Sequence, residues 1–100
     1  MTLYWHRWRT RRYGVFYYLS THPWAGDETT RQLTGEIAGV RRIPSSGRWQ
    51  YDVMAIGVMP GTWGYVGSPT RARRLVEEYL YRERGAAFGE DTLTFVPAAP

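Results

Sequence analysis

The alternation of apolar and polar positions divides the N-terminal part of the chain into two extended segments. Residues 3 to 9 and 13 to 20 are rich in aromatic and β-branched side chains and flank a short arginine-containing turn, a pattern that predicts a β-hairpin. Because side chains alternate between the faces of a strand, Trp5 and Trp8 fall on opposite faces. One face of this hairpin must cover the core, and the other is either covered by something else or exposed as a binding patch.

A second hairpin is predicted in the middle of the chain. Residues 21 to 32 have the composition of a loop, and two extended segments follow at 33 to 43 and 48 to 58, joined by the turn PSSG. Residues 62 to 66 predict a short further strand. The glycines of GTWGYVG, residues 61 to 67, are interpreted as turn formers, because the segment has neither the GxGxxG order nor the GK[ST] ending of a phosphate-binding loop.

One helix is predicted after this strand. Ser68 is a good N-cap, Pro69 occupies the favoured first position, and Gly85 closes the C-terminal end. One face of the helix alternates arginine and glutamate and is interpreted as solvated. The other face carries an apolar stripe at helical spacing that predicts packing on a sheet: Ala72, Leu75, Val76, Tyr79 and Leu80.

Together these segments predict an α+β fold, in which an antiparallel sheet of four to five strands carries one helix (about 69–84) packed on one face. A single domain is expected over residues 1–100, since a chain of this length can bury a sufficient core without disulfides. Residues 92 to 96 are expected to add an edge strand. The chain from about residue 97 is expected to be a short disordered tail.

Composition excludes several kinds of chemistry. Cysteine is absent, which removes thiolate nucleophiles, disulfides and cysteine-ligated zinc and fits a cytoplasmic location. His6 and His22 are the only histidines, and their separation is not a metal-ligand spacing. No stretch approaches the roughly 20 apolar residues that a membrane span needs. The sequence therefore predicts a non-enzymatic protein with no metal, no cofactor and no membrane association.

The distribution of charge points to the N-terminal hairpin. All thirteen basic residues are arginine, and the first 26 residues hold four of them and no acidic residue, so the net charge of +4 resides there. Eight of the sixteen aromatic residues lie in the same segment. Arginine stacks on rings and pairs bidentately with phosphate or carboxylate, which suits a recognition surface. The contact set predicted on this basis is Trp5, Arg7, Trp8, Arg9, Arg11 and Arg12.

Arginine interleaved with aromatic rings suits more than one role. Rings stack bases and arginines follow phosphates in single-stranded nucleic acid binding. The same residue types anchor protein–protein interfaces. A third interpretation is that the rings build the core while the arginine side chains extend from it into water. The residues alone leave these three open.

Residues 34 to 83 resemble a DNA-binding module. The segments TGEIAGVRRIPSSGRWQYDVMAIG and TWGYVGSPTRARRLVEEYLYRE resemble the three strands and helix of the arm-binding domain of phage-type integrases and of related plant transcription factors. The resemblance implies a sheet that enters the major groove, with the helix packed behind it through Leu75, Val76 and Tyr79. The residues that would then face DNA are Arg41, Arg42, Arg48 and Trp49. Because the chain after residue 26 has balanced charge and duplex affinity comes largely from neutralising phosphates, nucleic acid binding is the alternative function.

The size, cysteine-free composition and expected architecture also resemble small proteins encoded by phages and mobile elements of GC-rich bacteria, the anti-CRISPR proteins among them. Such proteins are typically non-enzymatic and cover a nucleic-acid-binding or recruitment surface of a CRISPR effector. The resemblance implies an inhibitor of a bacterial defence nucleoprotein complex. This inhibitor would act in the cytoplasm of the bacterial host and dock through the Arg–aromatic hairpin.

Overall fold

Both predicted hairpins form and lie side by side in one sheet. The computed structural model describes residues 2–10, 14–21, 36–89 and 95–97. The elements formed by these residues are β1 (Thr2–Thr10), β2 (Gly14–Ser20), β3 (Glu36–Arg42), β4 (Trp49–Val53), β5 (Thr62–Val66), α1 (Pro69–Arg84), β6 (Ala87–Phe88) and β7 (Phe95–Pro97). The predicted α+β class is confirmed.

The sheet is mixed and not purely antiparallel. Its strand order is β5-β4-β3-β2-β1-β6, and β7 also pairs with β1. Consecutive strands from β1 to β5 pair antiparallel, whereas β6 and β7 run parallel to β1. The prediction of four to five antiparallel strands is therefore wrong in strand number and in these last two pairings. The physical reason is α1, which carries the chain from β5 across the sheet to β1, so that the next strands run in the direction of β1.

One predicted boundary changes for a local reason. β4 ends at Val53 instead of continuing to residue 58, because the chain next makes a separate tight turn around Gly57, whose φ is 57°. Of the edge strand predicted at 92 to 96, the last two residues lie in β7, and residues 92 to 94 lie outside the described residues. Apart from Thr21, the loop predicted at 21 to 32 lies outside the described residues, as does the tail after Pro97.

The helix begins and ends at the predicted residues. The hydroxyl of Ser68 accepts a hydrogen bond from the Arg71 amide at 3.1 Å, an N-cap interaction worth about 1 kcal/mol. Gly85 adopts a left-handed φ of 60°, and its amide donates to the carbonyl of Tyr81 at 3.1 Å. Between these caps α1 lies on one face of the sheet and contacts β3, β4 and β5.

The core lies between α1 and this face of the sheet, which is called the helix face below. Leu75 and Tyr79 of the predicted stripe are half-buried, whereas the other three stripe residues are completely buried. Each large apolar side chain removed from water in this way contributes about 1.5–3 kcal/mol. The strands contribute the following buried side chains to the same cluster: Leu3, Trp5, Leu19, Ile37, Ala38, Val40 and Val53.

One arginine of the helix packs against the sheet and does not belong to the solvated face that its spacing predicts. The guanidinium of Arg73 lies 5.0 Å from the ring centroid of Trp5 and 5.4 Å from that of Tyr17. Both distances are within the range of cation–π attraction. Arg73 therefore extends the packing of α1 toward β1 and β2. On the exposed surface of the helix, Arg82 pairs with the adjacent Glu83 at 3.2 Å.

The glycine in the middle of β5 is a packing residue and not the turn former that its sequence context predicts. A Cβ on Gly64 would lie 2.5 Å from the hydroxyl oxygen of Tyr51, its partner in the β4–β5 register. The absence of a side chain at Gly64 therefore makes room for the Tyr51 ring, which packs against the core.

Candidate binding surface

Trp5, the first residue of the predicted contact set, is a core residue. Its side chain is only 4% exposed. It packs in the same buried cluster as Leu3 and Leu19, beneath the Arg73 guanidinium. A ring buried to this extent offers no surface to a partner, which corrects its place in the contact set.

The other members of that set follow Trp5 in sequence, and the structure describes the side chain of one of them, Arg7. Arg7 is half-buried, in the part of β1 that β2 and β7 flank. The backbone of Trp8 and Arg9 belongs to β1, but the side chains of both residues lie outside the described part of the structure, as do Arg11 and Arg12 altogether. Their role as contact residues stays a prediction.

The second face of β1 and β2 is also buried, so that aromatic residues occupy both faces of these strands. On the side away from α1, which is called the far face, His6, Tyr18 and Ser20 are each at most 1% exposed. The His6 ring stacks on Tyr18 at 4.9 Å, and its Nε2 atom lies in hydrogen-bond contact with the Ser20 hydroxyl at 3.2 Å. Both faces are therefore buried here, and burial decides in favour of a core role for these rings.

The alternative DNA-binding set does not form one surface. Arg41 pairs with Gln50 on the far face, and the Arg41 guanidinium donates two hydrogen bonds of 3.1 Å to the Gln50 amide oxygen. Trp49, one position earlier in β4, is on the helix face and packs against the core. Arg42 is its register partner, and Arg48 lies in the preceding turn. The four side chains are therefore divided between the two faces of the sheet and the connection from β3 to β4.

The exposed apolar side chains lie elsewhere, in and beside the connection between β4 and β5. Residues 54–61 form this connection, called the β4–β5 loop. Among the described residues, all the exposed large apolar side chains except Tyr81 belong to the loop or to β5. They are Met54, Ile56, Val58, Met59, Trp63 and Tyr65. A concentration of this kind on a small domain is a candidate interaction surface.

The tip of the loop is a closed two-residue turn. The amide of Ile56 donates to the Met59 carbonyl at 3.0 Å, and the amide of Met59 donates back at 2.9 Å. Gly57 supplies the positive φ that the turn needs. Val58 stands at the apex and is 100% exposed. The backbone is thus satisfied internally while an aliphatic side chain points into water.

Two side chains of α1 hold the base of the loop. The Tyr79 hydroxyl donates a hydrogen bond of 2.6 Å to the carbonyl of Pro60. The Arg84 guanidinium donates through Nη2 to the carbonyls of Met54 and Pro60, at 2.7 and 3.2 Å. Gly61 lets the chain turn back closely, since a Cβ there would collide with the carbonyl oxygen of Val53. These contacts fix the base of the loop to the helix and close to β4.

Beside the loop, the far face forms an open groove with a volume of about 890 Å³. Trp63 and Tyr65 of β5 stand along one side, with their rings edge-to-face at 5.8 Å. Gly39 of β3 forms part of the floor, and Phe16 of β2 lines it farther along. The arrangement combines exposed rings with a concave polar floor, as ligand- and peptide-binding surfaces do.

Two carboxylates converge on this floor. Oxygen atoms of Asp52 and Glu36 lie 3.2 and 3.5 Å from the point that a Cβ on Gly39 would occupy. Burial raises the pKa of Glu36, and the neighbouring Asp52 raises it further. Burial also raises the pKa of Asp52, although the Arg41 guanidinium acts in the opposite direction. The groove therefore has an acidic end beside Trp63 and a basic end, at Arg41, beside Tyr65.

Within the part of the chain that the structure describes, no three histidine, aspartate or glutamate side chains meet as a metal site requires. No helix of the described ranges is long and apolar enough to cross a membrane. Comparison with family models, with curated proteins and with solved structures gives no match.

The sequence contains a signal for the exposed loop, an apolar run that was interpreted as part of the strand at 48 to 58. The run VMAIGVM, residues 53–59, is apolar throughout and interrupted only by Gly57. A strand with one buried face should alternate, so the uninterrupted run indicated either a strand buried on both faces or an exposed apolar turn. The proline and glycine at 60 and 61 favoured the turn.

Proposed function

We propose that this protein is a non-enzymatic binding protein that docks onto a partner protein through the β4–β5 loop and the adjoining rings of β5. The observation that carries the proposal is the fully exposed Val58 at the apex of a loop that Tyr79 and Arg84 fix to the helix. An apolar side chain held rigidly in water gains free energy only when a partner covers it.

The chemistry of this surface suits a protein partner. Tryptophan, tyrosine and methionine are enriched at protein interfaces, and a few such anchors carry most of the binding energy. Full burial of one of these apolar side chains is worth about 1.5–3 kcal/mol. Because the loop is already ordered, little conformational entropy is lost when it binds.

For the partner we propose a bacterial defence nucleoprotein complex, with a CRISPR effector as the specific case. The support is the resemblance in size and composition to phage-encoded inhibitors, together with the exposed apolar side chains of the β4–β5 loop. Such an inhibitor acts in the cytoplasm of the bacterial host. In this proposal the β4–β5 loop replaces the N-terminal hairpin as the principal contact, because Trp5 is buried.

A second candidate function is single-stranded nucleic acid binding on the far face. Trp63 and Tyr65 present exposed rings beside the guanidinium of Arg41, and rings with arginine on a sheet face can stack bases and contact phosphates. Glu36 and Asp52 oppose it, because their carboxylates lie in the same groove and repel a phosphate backbone.

Binding to immobilised, purified CRISPR effector complexes tests the first proposal. The wild-type protein should bind, and Val58→Asp should bind at least about tenfold more weakly, since an apolar anchor is replaced by a charge that the interface must desolvate. Tyr81→Asp is the matched control: Tyr81 is 72% exposed but lies on α1, outside the loop. Equal loss in both variants would contradict docking through the loop.

Fluorescence anisotropy with labelled single-stranded and duplex oligonucleotides tests the second candidate. Tight binding that falls steeply with salt and is lost in Arg41→Gln would favour nucleic acid. No binding by the folded protein at physiological salt would remove that candidate.

A further inference from the structure

The outer edge of β5 is an open sheet edge. β5 is the terminal strand of the sheet, and among the described residues no strand pairs with its outer side. Charged residues and proline usually protect an edge strand from pairing. The β5 sequence TWGYV contains neither. The backbone N–H and C=O groups that point outward from this edge can therefore accept a further strand.

The far face beside this edge determines which side chains an added strand can place there. Trp63 and Tyr65 project from β5 on the far face, and they are 66% and 44% exposed. Every second side chain of a strand paired with β5 would lie next to one of these rings. A side chain placed over Trp63 would extend toward Asp52, because Trp63 and Asp52 are register partners in β5 and β4.

The charges in the groove favour a cation at that point. The carboxylates of Asp52 and Glu36 converge above Gly39 at the end of the groove beside Trp63. At the other end, the guanidinium of Arg41 is engaged by Gln50, whose register partner is Tyr65. Two strand spacings, about 10 Å, separate an added strand from β4. An extended arginine side chain covers most of that distance, and its guanidinium then approaches the Asp52 carboxylate across the Trp63 ring.

We propose that the edge of β5 binds an extended segment of the partner protein by strand addition, with an arginine of that segment lying over Trp63 and pairing with Asp52, beside which Glu36 adds a second negative charge. Strand addition supplies main-chain hydrogen bonds, and the face supplies specificity. Arginine fits better than lysine, because its planar guanidinium stacks on an indole ring while it donates to carboxylates. This inference rests on the proposed function, since it names the chemistry of the protein partner.

Short peptides test the inference without the partner itself. The probe is a six-residue peptide, acetylated and amidated, in which valine alternates with threonine except for one central arginine; in the control peptide citrulline replaces the arginine. Titrations are followed by amide and indole chemical shifts in NMR. The arginine peptide should bind at least about tenfold more tightly than the citrulline peptide, which corresponds to one charge-assisted pair. The shifted signals should include the Trp63 indole and the β5 amides.

Variants separate the charge contribution from general effects on the fold. Asp52→Asn combined with Glu36→Gln should abolish the preference for arginine over citrulline, whereas Glu83→Gln, an exposed acidic residue on α1, should retain it. An arginine peptide N-methylated at alternate amides should not bind, because it cannot pair with the edge. Circular dichroism establishes that each variant is folded.

Several outcomes would overturn the inference. Equal affinity for the arginine and citrulline peptides would do so, as would shifts confined to residues away from β5. Concentration-dependent dimerisation that Trp63→Ser abolishes would assign the edge to a second copy of this chain, and an oligonucleotide that shifts the same signals more strongly would assign the face to nucleic acid. Effector binding without peptide binding would refute this edge site alone, and peptide binding without effector binding would refute the proposed target alone.

Discussion

The phenolic hydroxyl of Tyr79 donates a hydrogen bond of 2.6 Å to the backbone carbonyl of Pro60. Nineteen residues separate the two in sequence, so this bond joins the middle of α1 to the base of the β4–β5 loop. Arg84 makes a second connection to the same carbonyl at 3.2 Å. The helix therefore packs on the core with its apolar side chains and fixes the exposed apolar loop with Tyr79 and Arg84.

Removing this hydroxyl should loosen the loop without unfolding the domain. Tyr79→Phe should lower the free energy of unfolding by about 0.5–1.5 kcal/mol, the usual contribution of one hydrogen bond. Hydrogen exchange measured by NMR should become faster at the amides of Ile56 and Met59. Tyr81→Phe is the control and should change neither quantity; unchanged exchange in both variants would contradict the anchoring role.

The two tryptophans at positions 5 and 63 should differ sharply in their contribution to stability. Trp5→Ala should cost about 3–5 kcal/mol, because the ring is buried and its removal leaves a cavity. Trp63→Ala should change stability by less than about 0.5–1 kcal/mol, because most of that ring is already in water. Urea denaturation of both variants measures the difference, and similar losses would contradict the assignment of Trp5 to the core and Trp63 to the surface.

The glycine inside β5 should not tolerate a side chain. Gly64→Ala places a Cβ 2.5 Å from the Tyr51 hydroxyl oxygen and 2.8 Å from the ring carbon that bears it, so the ring must move out of its packed position. We expect a loss of about 1–3 kcal/mol in thermal or urea unfolding. Gly67→Ala, where a Cβ would meet nothing within 4 Å, is the matched control. A Gly64→Ala protein as stable as the control would show that the ring is not held there.

The raised pKa values of the two groove carboxylates should make the protein less stable as the pH rises. Burial is the main reason that the pKa values of Glu36 and Asp52 lie above their ordinary values of 4.5 and 3.8. The folded state therefore binds these protons more tightly than the unfolded state. The resulting stabilisation is complete below the ordinary pKa values and is lost as the pH rises through the raised ones.

Replacing Glu36 by glutamine should remove its share of this dependence. Glu36→Gln should be more stable than the wild type near pH 7, and the difference should shrink as the pH falls through the raised pKa toward 4.5. Urea denaturation at a series of pH values measures this, with Glu83→Gln as the exposed control. A difference between Glu36→Gln and wild type that does not vary with pH would show that the Glu36 carboxyl is not desolvated.

Local signals in the sequence were sufficient for much of the fold. The serine, proline and glycine at positions 68, 69 and 85 define both ends of the helix, because capping is a short-range interaction. Thr62–Val66 was predicted with the bounds that the structure has. The parallel pairing of β6 and β7 with β1 could not be predicted in this way, since it depends on where the helix returns the chain.

The candidate surface was harder to predict because exposure is a tertiary property. The aromatic residues of β1 and β2 look the same in sequence whether they are buried or exposed. In the folded chain Trp5 is buried on the helix face and Tyr18 on the far face. Glu36 and Asp52 are sixteen residues apart in sequence and meet only through the register of β3 and β4. The apolar run of the β4–β5 loop was the one part of the surface with a direct sequence signal.

Docking through the loop is tested by the cleavage of target DNA by a purified CRISPR effector complex, titrated with the wild-type protein, Val58→Asp and Tyr81→Asp. We expect the wild type and Tyr81→Asp to inhibit cleavage at similar concentrations, whereas Val58→Asp should need at least about tenfold more protein. Inhibition by Val58→Asp as strong as that of the wild type would contradict docking through the β4–β5 loop. No inhibition by the folded wild type across effector types would contradict the proposed target.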